Sequence, residues 1–506
     1  VTFLAGIVEL FLPGIRLICG ISGLSRGRYV EFVASAGFLR KIVPAWWVWA
    51  LYRLGLHLSV VGTDASSNAW RFIFAKAVAH AACGDFDKAR MYVDRIARER
   101  KFVRRRANLA KAMAPYMPEV AAGLLEGCCA SDTALLRVAV YSRVRRLSPE
   151  QPTPAEVGRW LDVAFGLEKD LHAQNIAVQR PELQMEAFNR FLNSHDLLPV
   201  SLRDTTRALG PGNVVCKSDG LRAHSGPLTT VIMTTFQSQC TVRYAIESIL
   251  AQTYRNIELI IVDDASNDET VHIAQEFAER DNRVRLIRLG LNVGTFVAKN
   301  IGLDYAQGEF VTCHDSDDWA HPEKIERQIQ PLLASPRLIA TISYWVRMEP
   351  DGRYYARAVY PLLRLNVSSL LFRKEAVCLE AGIWDVVRAG ADSEFLSRLQ
   401  LVFGRDAILY CKLPLSIGAH RSESLMNAFD TGYSVSGVSR QRLSYWESWN
   451  WWHVDCLRNG ATPRLPKNLG YFDRRVFPAP ADLCVDREAI TRSLQTVVIH
   501  GDVGAH

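Results

Sequence analysis

The chain has 506 residues, of which 49 % are hydrophobic and 22 % charged. These values give ample apolar material for cores and exclude a largely disordered, collagen-like or coiled-coil protein. The net charge of +7 is uneven: residues 1–226 carry 30 Lys+Arg against 20 Asp+Glu, and residues 227–506 carry 30 against 33.

At roughly 100–200 residues per domain, two to four domains are expected. The basic half suits an anionic partner, either a membrane surface or a polyanionic glycan, and equally suits a solvated Arg-rich surface. The eleven cysteines form no CxxC pair, so neither a disulfide framework nor a zinc site is indicated. A reducing cytoplasm is the expected compartment.

Residues 1–60 are apolar and aromatic, with Pro13 and Pro44 as breaks. Glu9, Arg16, Arg26 and Arg28 interrupt the start. The run Ile42 to Tyr52 is only 11 residues long, against the roughly 20 that a spanning helix needs. Trp46, Trp47 and Trp49 between Arg40, Lys41 and Arg53 fit a buried helix best. The alternative is a peripheral contact at the inner face of the cell membrane. Residues 61–205 read as a helical domain, with Ala75, Val78, Ala79 and Ala82 at helical spacing. The turn Gly84 to Ala89 resembles the junction of a tetratricopeptide-type helix pair. A second helical stretch, Thr133 to Arg146, lacks that signature. An all-α, solenoid-like domain, tetratricopeptide-like in part, is expected. Residues 206–226, rich in Gly and Ser, read as a linker.

From residue 227 the pattern changes to α/β. Strands are predicted over Thr229–Thr235, Ile257–Val262, Val284–Leu289 and Glu309–Cys313. Amphipathic helices lie between them, which implies a mostly parallel sheet covered on both faces. Ligands of such sheets bind beyond the carboxyl ends of the strands. There the sequence places Asp263-Asp264 and His314-Asp315-Ser316-Asp317-Asp318. Adjacent carboxylates repel each other, and are natural oxygen ligands for a hard divalent cation. The bland alternative is an acidic turn with Asp318 as helix cap. The α/β domain is bounded at 227–430. An aromatic-rich extension, 431–506, holds Tyr445 to His453, where Trp446, Trp449 and Trp452 share a helix face. Core or interdomain packing explains that face best, and a sugar-stacking groove is the alternative.

Several motifs in order resemble an inverting family 2 glycosyltransferase of the GT-A, Rossmann-like fold. They are Val231–Phe236, Ala245–Tyr254, Glu258–Thr270 (similar to VDDgSxDxT), Asn292–Gly302 (similar to NxG…ARNxG, with Lys299 where Arg is usual), Asp315–Asp318 (similar to DxD), and Gly390–Phe395 with Arg398-Leu399 (similar to GED…RL). The resemblance implies transfer of a sugar from a nucleotide-diphosphate donor, with a UDP-sugar expected, to a glycan or lipid-linked glycan of surface or exopolysaccharide synthesis. It implies no nucleic-acid partner. Mn²⁺ or Mg²⁺ would be held by Asp318, with Asp315 and His420 as further ligands. Thr234, Phe236, Asp264, Lys299, Asn300, Asp317 and Arg421 would bind the donor, Phe236 by stacking on the base and Arg421 through the phosphates. Asp392 would be the general base. Its usual Glu neighbour is replaced by Ala391. Glu394 would compensate on the acceptor side, or form an exposed pair with Arg398. Trp384 would be a platform under the acceptor sugar, or ordinary packing. The rival function is a helical interaction protein with a degenerate transferase domain. A membrane-embedded processive polymerase is disfavoured, since neither a spanning segment nor a QxxRW-like motif is present.

Overall fold

The computed structural model describes residues 26–35, 40–98, 105–126, 128, 131–147, 156–176, 180–216, 224–421, 424, 427–428, 430–434, 437–467 and 475–501. Residues 1–25, including Glu9, Pro13 and Arg16, lie outside the described residues, as do Cys129 and residues 217–223 of the expected linker.

The described residues before 200 form helices and their connections. Helix α1 spans Arg26–Ser35 and α2 spans Pro44–Leu54. Proline fits the first turn of α2 because its missing N–H would lack a partner there anyway. Gly55, at φ +81°, ends the helix and donates its N–H to the Leu51 and Tyr52 carbonyls. Trp47 is buried, and Trp49 packs on Tyr52, Trp70 and Phe74 with ring centres 5.3–5.6 Å apart. Trp47 is therefore core, and Trp46 and Trp49 are partly buried against it. Helix α3, Trp70–Ala82, is buried from Phe72 to Ala82, as an apolar-all-round helix must be. Helix α4, Phe86–Arg98, buries only Ala89, Val93 and Ile96. The turn at Gly84 joins these two helices. Two longer helices follow, α5 over Ala134–Leu147 and α6 over Pro181–Asn193. Beyond them, Asn213 anchors the chain by donating to the carbonyls of Asp204, Arg207 and Ala208.

The second region is built on one mixed sheet. Its strands are β1 Thr229–Thr235, β2 Ile257–Asp263, β3 Val284–Arg288, β4 Phe310–Cys313, β5 Trp319–Ala320, β6 Ala340–Met348, β7 Tyr354–Tyr355, β8 Leu371–Arg373, β9 Ile408–Ala419 and β10 Val498–His500. Their spatial order is β10-β3-β2-β1-β4-β8-β6-β9-β5, with β7 and a further two-residue strand, Arg364–Leu365, also on β6. Strands β1 to β4 pair in parallel. Helices α7 Val242–Leu250, α8 Thr270–Arg280 and α9 Thr295–Tyr305 connect them. The other half is mixed: β8 runs antiparallel to β4 and β6, while β9 is parallel to β6. This is the GT-A, Rossmann-like arrangement preceded by an all-helical region. Beside it lie α10 Lys324–Ala334, α11 Lys374–Glu380 and α12 Ala391–Val402.

One core covers each face of the sheet. Ile232, Ile260, Val262 and Phe372 face one, and Val231, Met233, Leu259 and Ile261 face the other. Alternation along β1 and β2 explains the split. Helix α13, Arg440–Arg458, joins the two regions. Its Tyr445 and Trp449 lie in the sheet core, and its Val454 lies in the core of α1 and α2. The aromatic stretch of the extension thus packs between the regions.

Candidate functional site

The carboxyl ends of β1, β2 and β4, the start of α12 and the end of β9 meet at one edge of the sheet. After β1, Phe236 is 49 % exposed, uncommon for an aromatic beside a core and suited to stacking on a planar ligand. The loops after β1 and β2 are tied together: the Gln237 N–H donates to Ser266 Oγ at 3.0 Å, and the Ser238 N–H to Thr270 Oγ1 at 2.7 Å. Thr234 is half-buried and shares a 2.8 Å hydroxyl contact with Thr295, the first residue of α9. Asp264 accepts from the N–H groups of Val293 and Gly294, at 2.7 and 2.8 Å. Burial lifts its pKa to about 6 against those two hydrogen bonds. It therefore shapes the loop before α9 and keeps lone pairs for a ligand.

The acidic run after β4 is the electrostatic centre. Asp318 is buried and accepts one hydrogen bond, from the Ala419 N–H at 3.1 Å. Burial, Asp317 and Asp315 push its carboxyl well above the usual range. Asp317 is raised by burial and Asp315, partly offset by Arg421, whose Nη2 lies 2.9 Å from Oδ2. Asp315 faces the buried Lys299 at 3.6 Å. Burial works against both charges, yet each favours the other: Asp315 is lowered and Lys299 raised, the latter also by Cys313 and Asp392. Asp392, in the first turn of α12, accepts from the Ser393 N–H at 2.8 Å. Burial raises its pKa and Lys299 offsets part of the rise. Lys299 thus bridges the acidic run and Asp392.

Behind the run lies a pair that sequence reasoning did not single out. Lys324 is buried at the start of α10 and donates to His314 Nδ1 at 3.3 Å, while His314 Nε2–H faces the Asp318 carbonyl at 3.1 Å. Burial lowers Lys324 to about 8, despite Asp318 and Asp315. The available signal was a lysine opening the helix that follows an acidic run.

Four expected residues stand elsewhere. Asn300 is buried and holds the Trp384 backbone with both ends of its amide, at 2.9 and 3.1 Å. Trp384 is 4 % exposed and packs on Phe395 and Phe372, so it is core and presents no platform to an acceptor. Glu394 is fully buried, bound to Arg398 at 2.9 and 2.7 Å and to His453 at 3.2 Å. It props up α12, and is neither exposed nor turned to an acceptor. His420 does not join the aspartates as a ligand. Its ring stacks on Tyr355 at 3.5 Å, and Nδ1 faces Glu349 at 3.7 Å. Among the described residues no group of three or more His, Cys, Asp or Glu side chains is placed to hold a metal ion. The chemistry of the run still fits one: Asp318 and Asp317 are hard oxygen donors whose ionised forms are destabilised by their neighbours, a strain that a divalent cation relieves.

Residues 230–383 match Glycosyl transferase family 2. An uncharacterized glycosyltransferase of Haemophilus influenzae is 40 % identical over 126 residues, 25 % of this chain and 50 % of the relative. The UDP-Glc:alpha-D-GlcNAc-diphosphoundecaprenol beta-1,3-glucosyltransferase WfgD of Escherichia coli is 38 % identical over 106 residues, 21 % of this chain and 41 % of WfgD. The chain spans half or less of the length of these relatives. The crystal structure of S. aureus TarS 1-349 in complex with UDP-GlcNAc aligns over 39 % of this chain and 59 % of TarS, with 18 % identity and a TM-score of 0.33.

Proposed function

Because residues 230–383 form a glycosyl transferase family 2 domain, we propose that this chain transfers a sugar from a nucleotide-diphosphate donor to a glycan acceptor, with inversion. The observation that carries the reading is the gathering of Asp264, Asp315, Asp317 and Asp318 at the strand ends of that domain, with Lys299 of α9 beside Asp315 and Asp392 opening α12 just beyond the domain. UDP is the nucleotide proposed, by analogy with the donor named for the E. coli relative. Surface or exopolysaccharide synthesis, at the cytoplasmic face of the membrane, is the proposed setting.

Phe236 stacks on the base and Asp264 accepts a hydrogen bond from it. Asp392 takes the proton of the acceptor hydroxyl as that oxygen attacks the anomeric carbon, while the bond to the nucleotide diphosphate breaks on the opposite face. Its raised pKa makes it a stronger base, and the Lys299 charge favours its ionised form. Arg421, beside Asp317, faces the leaving diphosphate. A divalent cation held by Asp318 and Asp317, when bound, would stabilise the negative charge of that leaving group.

The test is calorimetry of the protein with UDP, GDP, CDP and dTDP, each with and without Mn²⁺. Metal-dependent binding of one nucleotide supports the reading. A folded sample that binds none returns the weight to a scaffold role for the helical region.

A further inference from the structure

The helical region contributes to the edge just described. Arg146 of α5 reaches across to Glu349 at 2.5 Å and to the Tyr354 carbonyl at 3.0 Å. Asn175 brackets the same residue, accepting from the Tyr354 N–H and donating to its carbonyl, at 2.7 and 2.9 Å. Strand β7 is therefore clamped from the helical side. One turn earlier on α5, the Arg143 guanidinium lies 5.7 Å from the Tyr355 ring centre. That ring stacks on His420. Arg347 is also 5.7 Å from it and donates to the Ala419 carbonyl at 2.7 Å, while the Ala419 N–H donates to Asp318. Arg143 is thus linked to the acidic run through Tyr355, Arg347 and Ala419.

A second arginine stands at the other end. Arg357 lies 3.6 Å from the Tyr433 ring centre and 5.1 Å from that of Tyr116, a residue of the helical region. Arg442 shares the Tyr433 ring at 4.8 Å, and its charge lowers the pKa of Asp392. Neither Arg143 nor Arg357 forms an ion pair with a described residue. The carboxylate near Arg143, Glu349, is bound to Arg146 and faces His420. Both arginines are half-buried and held against aromatic rings. A guanidinium fixed by its face keeps its N–H edge for an anion, and its planar fork matches carboxylate or phosphate. One such fork connects through Tyr355, Arg347 and Ala419 to the Asp318 end of the proposed site, and the other through Tyr433 and Arg442 to the Asp392 end.

We propose that Arg143 and Arg357 bind an acidic group of the acceptor, so that the acceptor is an anionic glycan carrying carboxylate or phosphate. This rests on the transferase reading above. It also gives the helical region a part in selecting substrate.

Three probes test it: a glucuronate-containing tetrasaccharide, the same tetrasaccharide with its carboxyls reduced to alcohols, and a glycosyl diphosphate bearing a short alkyl chain. Each is titrated into the full chain, with and without UDP and Mn²⁺. At least one anionic probe should bind about tenfold or more tightly than the neutral one, with affinity falling as salt rises. Arg143→Gln and Arg357→Gln should each remove about fivefold or more of that preference, and Lys at either position should restore part of it. UDP affinity should stay unchanged in all four variants. A preference for the uronate alone assigns the acid to the glycan, and a preference for the diphosphate alone assigns it to a lipid-linked carrier. Equal binding of the neutral probe, no binding by either anionic probe, or an undiminished preference in both Gln variants overturns the proposal. Failure of the wild-type chain to bind UDP counts against the transferase reading instead, since the anion preference is read separately without nucleotide.

Discussion

Two groups of charge in the α/β region are treated in opposite ways. Glu394 has both carboxylate oxygens on Arg398, with His453 on one of them. Arg398 spends its remaining donors on the Ala381 and Ile383 carbonyls, at 2.6 and 2.7 Å. Burial opposes the charge, yet Arg398 and His453 hold the pKa of Glu394 below the usual range. At the candidate site Asp318 is also buried, and Asp317 and Asp392 are half-buried, but their partners are too few and their pKa values are pushed up. A satisfied group gives rigidity, whereas an unsatisfied one stores electrostatic free energy that only a ligand or a proton can release. The same residue types therefore act as a brace in one place and as a candidate site in the other.

Substitution should separate the two groups cleanly. Asp392→Asn removes the proposed base, and transfer should fall by about 10²–10⁴. UDP affinity and unfolding midpoint should be retained, which calorimetry and denaturant titration check. Glu394→Ala leaves Arg398 buried without its carboxylate and should cost about 3–5 kcal/mol of stability. Its measured loss should be in the unfolding midpoint, with UDP affinity per folded molecule unchanged. A variant of Glu394 that is stable but inactive would erase the distinction.

Smaller effects sharpen it. Phe236 is exposed and contributes little to the fold, so Phe236→Ala should leave stability nearly unchanged. Loss of stacking should weaken UDP binding by about 1–3 kcal/mol. Asp264 gives a pH signature. Its folded pKa of about 6 lies above that of a free carboxyl. The ionised form is the acceptor, so UDP affinity should fall as pH drops through about 6, by up to about 1.4 kcal/mol per unit below it. Asp264→Asn should flatten that part of the profile.

The parallel half of the sheet was legible because its signals are local. Strand β1 coincides with the run Thr229 to Thr235, and β2 extends the predicted strand by Asp263. The strand-end acids followed from topology, since carboxylates at the ends of parallel strands share one edge. The antiparallel half was not legible: β8 is three residues long and is defined by its neighbours β4 and β6. Glu394 and Arg398 were read as a pair at i, i+4, and they are one. Their full burial was hidden because it depends on α13, some fifty residues later. Trp384 was ambiguous for the same reason, since its neighbour Phe372 comes from a different element. Arg143 and Tyr355 carry no motif, and only the docking of α5 on β7 brings them to His420.

The smallest expected effect tests the seam between the regions. Trp451 Nε1–H donates to Ser59 Oγ at 3.2 Å, and Ser59 donates its hydroxyl and N–H to Glu447, at 2.5 and 3.1 Å. This chain of bonds is a half-satisfied version of the Glu394 brace. Burial raises the Glu447 pKa, and the bonds from Ser59 and Trp451 restrain the rise. Trp451→Phe keeps most of the ring packing and removes one donor, so it should cost about 1 kcal/mol. The sign with pH follows from the raised pKa. The lost bond supports the ionised carboxylate, so the penalty is present above the raised pKa and shrinks as falling pH protonates Glu447. Unfolding of both proteins across that range measures it. A penalty that does not change with pH would mean that the tryptophan acts through packing alone. The Trp451 end of the seam would then be a hydrophobic contact, and the Ser59–Glu447 bonds its polar part.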